Sequence, residues 1–320
     1  MSARAWVAFA SVSVLWGIPY MFIKIAVDDG VPPAFLAWVR VLLAAVILLG
    51  LAWRSGLLGT LRGRWRWIGI YAIVEICIPF PLIAAGEQAV SSSLAAILIA
   101  AVPLIVALLA IRFDAGERAQ GRRLIGLLVG FAGVIALVGI DVAGRSDELL
   151  GAAAILVAAT GYAAGPMVMK RHFSDLDPIP MMGAATAVAA LVLTPAALLA
   201  PPASMPPTEA IGAILVLGLL CTATAFVLFG ALVTEVGPGR ATVITYVAPV
   251  VAVALGVTVL GERPGTGAVA GLLLIIAGSW LSTDGRVPPG LAAVATRLRR
   301  RGRRGRPAAE PQPSVEPVSA

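Results

Sequence analysis

Three charged side chains stand inside long apolar runs, where a charge is costly and so points to chemistry. Glu75 lies about eight residues into the run 67–86, roughly 12 Å deep in a hydrocarbon layer some 30 Å thick. An ionised, unpaired carboxylate at that depth costs several kcal/mol, so Glu75 must keep its proton or find a cation. Either behaviour suits a group that couples a proton to the movement of something else. The plainer alternative is a permanently neutral acid that fastens helices together. Arg40, about six residues inside the run 34–53, carries a rigid fork of donors that can clamp a carboxylate on a ligand or on an inward-facing acid. Lys24, about three residues from the end of the run 5–27, can join a charge relay or snorkel to the headgroups.

Trp16, Tyr20, Tyr71, Tyr162 and Tyr246 fall in the same runs. Each offers a flat apolar face and one polar tip, the combination that small-molecule sites use for substrate binding. The alternative for each is ordinary helix packing. Trp65 and Trp67 stand at a run boundary and read as interfacial anchors.

Catalytic sets are scarce. There is one histidine, His172, and the sequence lacks a Gly-x-Ser-x-Gly elbow and a His-Glu-x-x-His pair. Asp175 and Asp177 read as solvated loop charges rather than metal ligands, and Cys77 and Cys221 match no metal or disulfide spacing. A membrane-embedded enzyme acting on a lipid-linked or small substrate is therefore the weaker alternative. No Gly-x-x-x-x-Gly-Lys loop is present, so no cofactor is expected and energy must come from a gradient.

The elements that position these residues follow from composition. With 59% hydrophobic and only 13% charged residues, and a mean hydropathy of +0.96, the chain cannot solvate a soluble globule. Ten apolar runs approach the roughly 20 residues that a helix needs to cross a bilayer. They cover 5–27, 34–53, 67–86, 91–111 and 124–140, then 149–169, 179–200, 210–233, 241–260 and 266–283. They do not alternate, which excludes a β-barrel. The expected fold is all-α and integral to the membrane.

The ten runs are two copies of one unit. Gly116-Glu117-Arg118 with Gly126 and Gly133 recurs as Gly261-Glu262-Arg263 with Gly271 and Gly278, each pair offset by 145 residues. Five crossings per copy is an odd number, so the copies, residues 5–140 and 149–283, must enter the membrane from opposite sides. The charges agree. With the N-terminus placed in the cytoplasm, inner connections and the tail hold twenty Lys and Arg. The outer connections hold only Arg145 and Arg263, among Asp28, Asp29, Glu87, Asp141, Asp147, Glu148, Glu209 and Glu262. Inverted repeats can open a shared central site to one side and then the other.

Prolines mark expected breaks, because each removes a backbone donor. Pro103 and Pro249 stand at corresponding places in the two copies, and Pro19 and Pro166 repeat that pattern loosely. Pro79 and Pro81 follow Glu75. Matched interruptions point to a binding site, although membrane helices carry more proline than soluble ones in any case. The glycines at 126, 130, 133, 271 and 278 share helix faces and are expected to let helices approach closely. Beyond the last run, residues 284–320 form an Arg-rich, Pro-rich cytoplasmic tail that cannot build a core and suits anionic lipid rather than nucleic acid.

Trp16-Gly17, Lys24, Pro32-Pro33 and the run that starts Arg40-Val-Leu-Leu, followed by Gly-Glu-Arg with its two later glycines, resemble an EamA domain. The chain looks like a ten-helix EamA-type member of the drug/metabolite transporter superfamily, over about residues 5 to 283. The second copy departs from the pattern, with Tyr162 and no Trp-Gly pair, and with Met181-Met182 near the counterpart of Arg40. The resemblance implies a multi-pass carrier of the cell membrane that moves a small metabolite, amino acid or drug through a central cavity, most often outward.

Overall fold

The computed structural model describes residues 2–113, 121–142, 144–236 and 244–282. No strand occurs among them. In the first half, α1 (Ala3–Gly17) and α2 (Pro19–Asp28) form one apolar stretch and α3 (Pro33–Arg54) the next. A third is built from α4 (Trp65–Ala72), a π segment (Ile73–Cys77) and α5 (Pro79–Glu87). Then come α6 (Ser92–Ile99) with α7 (Val102–Phe113), and α8 (Arg122–Leu137) with a π segment (Val138–Val142).

The second half runs α9 (Ser146–His172), α10 (Pro178–Leu199), then α11 (Thr208–Leu215), a π segment (Val216–Thr224) and α12 (Ala225–Val236). It ends with α13 (Ile244–Thr258) and α14 (Thr266–Ser282). Among the described residues eight stretches are long and apolar enough to cross a membrane, and Ile244–Thr258 and Thr266–Leu281 are shorter apolar helices. The first Gly-Glu-Arg motif, Arg240 and the basic tail lie outside the described residues.

The surface shows the medium. Leu199 is 87% exposed, Leu191 74%, Trp53 73% and Ile135 71%. Such outward faces need a solvent of hydrocarbon. The interior is made of small residues: Ala37, Ala44 and Ala45 on α3 and Ala184, Ala185 and Ala189 on α10 are buried where those two helices pack. Lipid rewards burial of apolar side chains no more than it rewards their exposure, so close van der Waals packing has to hold the helices together.

The most extensive helix contact is between α8 and α14. A Cβ on Gly278 would stand 2.5 Å from the carbonyl oxygen of Gly126 and the Cα of Gly130, and Gly133 faces the carbonyl of Gly271. The repeated glycines thus form one seam between the halves. Most of the other extensive contacts also join first-half to second-half helices: α3 with α10, α5 with α9, α1 with α13.

The prolines behave unequally. Pro19, Pro79 and Pro103 each stand at the start of a new helix, where the missing N–H costs nothing, and each splits its stretch. Pro81 follows within α5. Pro166 and Pro249 lie inside α9 and α13, which continue through them, so the expected breaks do not form there. Proline's φ fits a helix, and the loss of one hydrogen bond does not end it when both flanks are held. The matched irregularity is instead the pair of π segments, Ile73–Cys77 and Val216–Thr224. The second, like the first, contains no proline. Its threonines stabilise the wider turn: Thr222 and Thr224 donate to the carbonyls of Leu217 and Leu219, five residues back.

Candidate functional site

Arg40 sits between the halves. Its side chain leaves α3, flanked by buried Ala37 and Val41, and only 8% of the residue is exposed. Nε donates to Thr222 Oγ1 at 2.9 Å, so a cation from the first half is tied to the π segment of the second. The guanidinium carbon lies 4.0 Å from the centroid of the Phe80 ring, a cation–π contact of about 2 kcal/mol or more when desolvated. Among the described residues no carboxylate pairs with Arg40. Tyr162, Cys221, Tyr20 and Glu87 are the ionisable groups within electrostatic reach. Phe80 in turn meets Tyr162 edge-on at 6.5 Å. The arrangement is a buried cation with two unassigned terminal nitrogens over an aromatic floor, able to receive an anionic group beside a flat apolar one.

Glu75 lies in the first π segment, against a Gly-Tyr-Ala-Ala-Gly stretch of α9. Gly161 faces the carbonyl of Val74, and Gly165 faces the Glu75 carboxyl so closely that any Cβ would collide with it. Oε2 is shut off from solvent and has no hydrogen-bond partner. Tyr71 and Tyr162 both lie within electrostatic reach of this carboxyl. A π segment shifts side chains out of helical register and recurs at functional sites. Here it brings an acid to the crossing of two halves.

The structure therefore gathers Tyr20, Arg40, Glu75 and Tyr162 into one neighbourhood, and places the other sequence-selected residues around it. Tyr71 is in the core, 2% exposed, its hydroxyl 3.6 Å from Met182 Sδ. Trp16 packs on Phe229 and Phe226 of α12. The Tyr246 hydroxyl donates to the carbonyl of Ser279 at 3.1 Å. Lys24 pairs with Asp28 at 2.8 Å and donates to the main-chain carbonyl of Glu87 at 2.9 Å, which leaves no reason for it to snorkel.

Glu87 corrects the sequence reading. Counted among the outer connections, it ends α5 and is wholly buried, with both carboxyl oxygens unpartnered. Phe80, Thr222 and Cys221 were missed for a different reason: an aromatic, a threonine and a cysteine inside apolar runs carry no signal until a cation stands beside them.

Contacts between the halves also form at both ends of the bundle. At one end Glu262 accepts from the backbone N–H of Ser92 and Ser93, at 2.7 and 3.0 Å, capping α6. Asp141 likewise accepts from Gly267 and Ala268 at the start of α14. Carboxylates are favoured there by the orphan N–H groups and the helix dipole. A cavity of about 220 Å³ lies beside them, lined by Asp141, Arg145, Glu148 and Arg263 among others.

At the other end Arg64 forks onto Asp175, at 2.8 and 2.6 Å, and donates to the carbonyl of His172, whose ring stacks on Trp67 at 3.5 Å. The hydrogen bonds from Arg64 hold the Asp175 carboxyl below its usual range. Asp175 is thus lowered in the folded state, so the contact is fully present above the ordinary carboxylate range and is lost as pH falls through the lower value. Spin labels at positions 60 and 174, in a variant without Cys77 and Cys221, should keep a narrow distance distribution from pH 8 to 5 and broaden only below about pH 4. Arg64→Ala should broaden it throughout. Broadening already between pH 8 and 6 would take the control away from Asp175.

Apolar outer faces and a buried cation shared between two helical halves define a multi-pass membrane protein with a polar centre. The EamA-like transporter family matches residues 4–139 and 149–283, and the chain belongs to that family. It is 26% identical to an uncharacterised transporter of Archaeoglobus fulgidus, over 88% of this chain and 98% of the other. It is 30% identical to the uncharacterised inner membrane transporter YedA of Escherichia coli, over 80% and 82%. The uncharacterised transporter YoaV of Bacillus subtilis is 24% identical over 85% and 94%. A solved crystal structure shares the fold at TM-score 0.64, with 20% identity, over 88% of this chain and 98% of that one. Transport is accordingly the general function.

Proposed function

We propose that the protein is a secondary carrier of the cell membrane. It moves a small metabolite, amino acid or drug by alternating access between two inverted five-helix halves, residues 5–140 and 149–283, and works as an exporter. The observation that carries this reading is Arg40: a buried cation, held by one residue from each half, with no carboxylate paired to it among the described residues. A cargo carboxylate or other anionic group is its counter-ion. Tyr20 and Tyr162 shape the neighbourhood, and Trp16, Tyr71 and Tyr246 brace the helices around it.

The inverted arrangement is supported by which connections meet. Arg64 precedes the third apolar stretch and Asp175 the seventh, whereas Glu262 precedes the tenth and Ser92 opens the fourth. Those pairings are the ones expected when the second five crossings run opposite to the first. The termini then lie in the cytoplasm by the excess of Lys and Arg there, and the Arg-rich tail meets anionic lipid.

Glu75 couples a proton to the cycle. Its unpartnered Oε2 beside the Arg40 neighbourhood supports that role. In proteoliposomes, radiolabelled amino acids and common metabolites should reveal a cargo whose uptake is accelerated by the same compound inside, and Glu75→Gln should flatten the pH profile of that uptake. Uptake with no acceleration from the far side would exclude a carrier, and an unchanged pH profile would remove Glu75 from coupling.

A further inference from the structure

Glu87 is a buried acid that neither transport chemistry at Arg40 nor helix capping uses. Both carboxyl oxygens are inaccessible and have no hydrogen-bond partner, and the residue is 0% exposed. An unpaired carboxylate in such a place costs several kcal/mol even after relaxation, so the group that fits the geometry is the neutral acid. A neutral acid could be inert, but its surroundings are not. Lys24, one turn before Asp28 on α2, has its ammonium on the main-chain carbonyl of Glu87 itself, at 2.9 Å. Its charge partner is Asp28, 55% exposed at the end of the same helix. The cation therefore stands between a hydrated carboxylate that does not need it and a buried one that would.

The other groups facing Glu87 are Arg40 from α3, Glu262 from the connection before α14, and Tyr20 from α2. From α9 the neighbours are Gly151 and Ile155, which pack on the adjacent Gly86 and do not titrate. Of the two cations in reach, Arg40 is already placed over Phe80 and on Thr222. Lys24 is the one whose present partner water can replace.

We propose that Glu87 is a proton-binding site with Lys24 as its exchangeable counter-ion. In the state seen here Glu87 carries the proton and Lys24 pairs with Asp28. When the proton leaves to water, the ammonium swings from Asp28 to the new carboxylate, and Asp28 stays ionised in solvent. The buried site remains neutral throughout: one proton goes out and one ammonium comes in. The swing also releases the outer end of α2 from its own salt bridge and adds an ion pair to the hydrogen bond that already ties Lys24 to Glu87 on α5, which strengthens the joint between the first and third apolar stretches. Glu75 and Glu87 lie on the same stretch about 18 Å apart along its axis, giving one acid towards each end. Service to transport rests on the carrier reading above; proton binding itself does not.

Infrared difference spectroscopy of the purified full-length protein in lipid tests this with protons alone, whatever the cargo. At neutral pH the wild type should show the carbonyl stretch of a protonated carboxyl that Glu87→Gln lacks and Glu75→Gln retains, and the band should bleach on alkalinisation. Lys24→Met should move the bleaching at least one pH unit higher, because a nearby cation is worth about one to three units. Asp28→Asn, which frees Lys24, should move it lower. Because Gln reproduces the neutral acid, Glu87→Gln is expected to fold, and its unchanged amide bands serve as the check. A spectrum identical to wild type at neutral pH, a midpoint indifferent to Lys24→Met, or bleaching by added sodium at constant pH would each overturn the proposal.

Discussion

Arg40→Ala should lower counterflow about 100-fold while leaving the thermal midpoint unchanged or raised. Two opposing effects set that outcome. Removing the side chain forfeits a charge-assisted hydrogen bond to Thr222, the contact over Phe80 and the counter-charge for cargo; together these are worth about 3 kcal/mol, or two powers of ten in rate. It also removes a buried cation that pairs with no carboxylate among the described residues, and a protein gains stability when such a charge is taken away. A residue kept for folding shows the reverse, a lowered midpoint with activity falling in step. Arg40→Lys keeps the charge but loses the planar fork and the Nε donor, so an intermediate loss of about tenfold is expected. Counterflow and thermal unfolding of the same preparations separate the cases. Wild-type counterflow in Arg40→Ala would remove the residue from the site.

Gly278→Leu should abolish the folded monodisperse protein, and Gly278→Ala should destabilise it by about 3 kcal/mol. The atoms that a new Cβ meets are backbone atoms of α8, Gly126 O and Gly130 Cα, both at 2.5 Å, and backbone cannot rotate out of the way. The two helices would have to part along their whole seam, which also separates Gly133 from Gly271. Gly50→Ala is the control. Gly50 lies in α3, where an added Cβ would meet nothing within 4 Å, so alanine there should be neutral or stabilising by less than about 1 kcal/mol. Size-exclusion profiles and midpoints in detergent decide it: equal loss in both variants would mean that the seam does not hold the halves.

Much of this architecture was legible because hydropathy is a one-dimensional property. A helix that must face lipid announces itself residue by residue, and the two charges deep within such runs, Arg40 and Glu75, stand out against them. Glu87 did not stand out. It closes a run, and whether a charge at that position meets water or protein depends on α2 and α9, which are far away in sequence. The π segment at Val216–Thr224 was hidden for a related reason. It is stabilised by the bonding of Thr222 and Thr224 to carbonyls five residues back, whereas in an ordinary helix a threonine hydroxyl reaches four back, as Thr234 does to Gly230. Pro249, by its match to Pro103, and more loosely Pro166 pointed to breaks that do not occur, because proline removes one donor but does not dictate where its neighbours are held.

The cap that Glu262 places on α6 has a consequence for biosynthesis. The acceptor is translated 170 residues after the Ser92 N–H it satisfies, which at about 5 to 20 residues per second is roughly 10 to 30 seconds of ribosome time. Throughout that interval the nascent first half waits in the bilayer with the N–H groups of Ser92 and Ser93 unsatisfied and the glycine face of α8 uncovered. A ribosome that stalls between the two copies therefore leaves an insertion intermediate with a lateral opening, the kind of species that membrane chaperones hold and quality-control proteases remove.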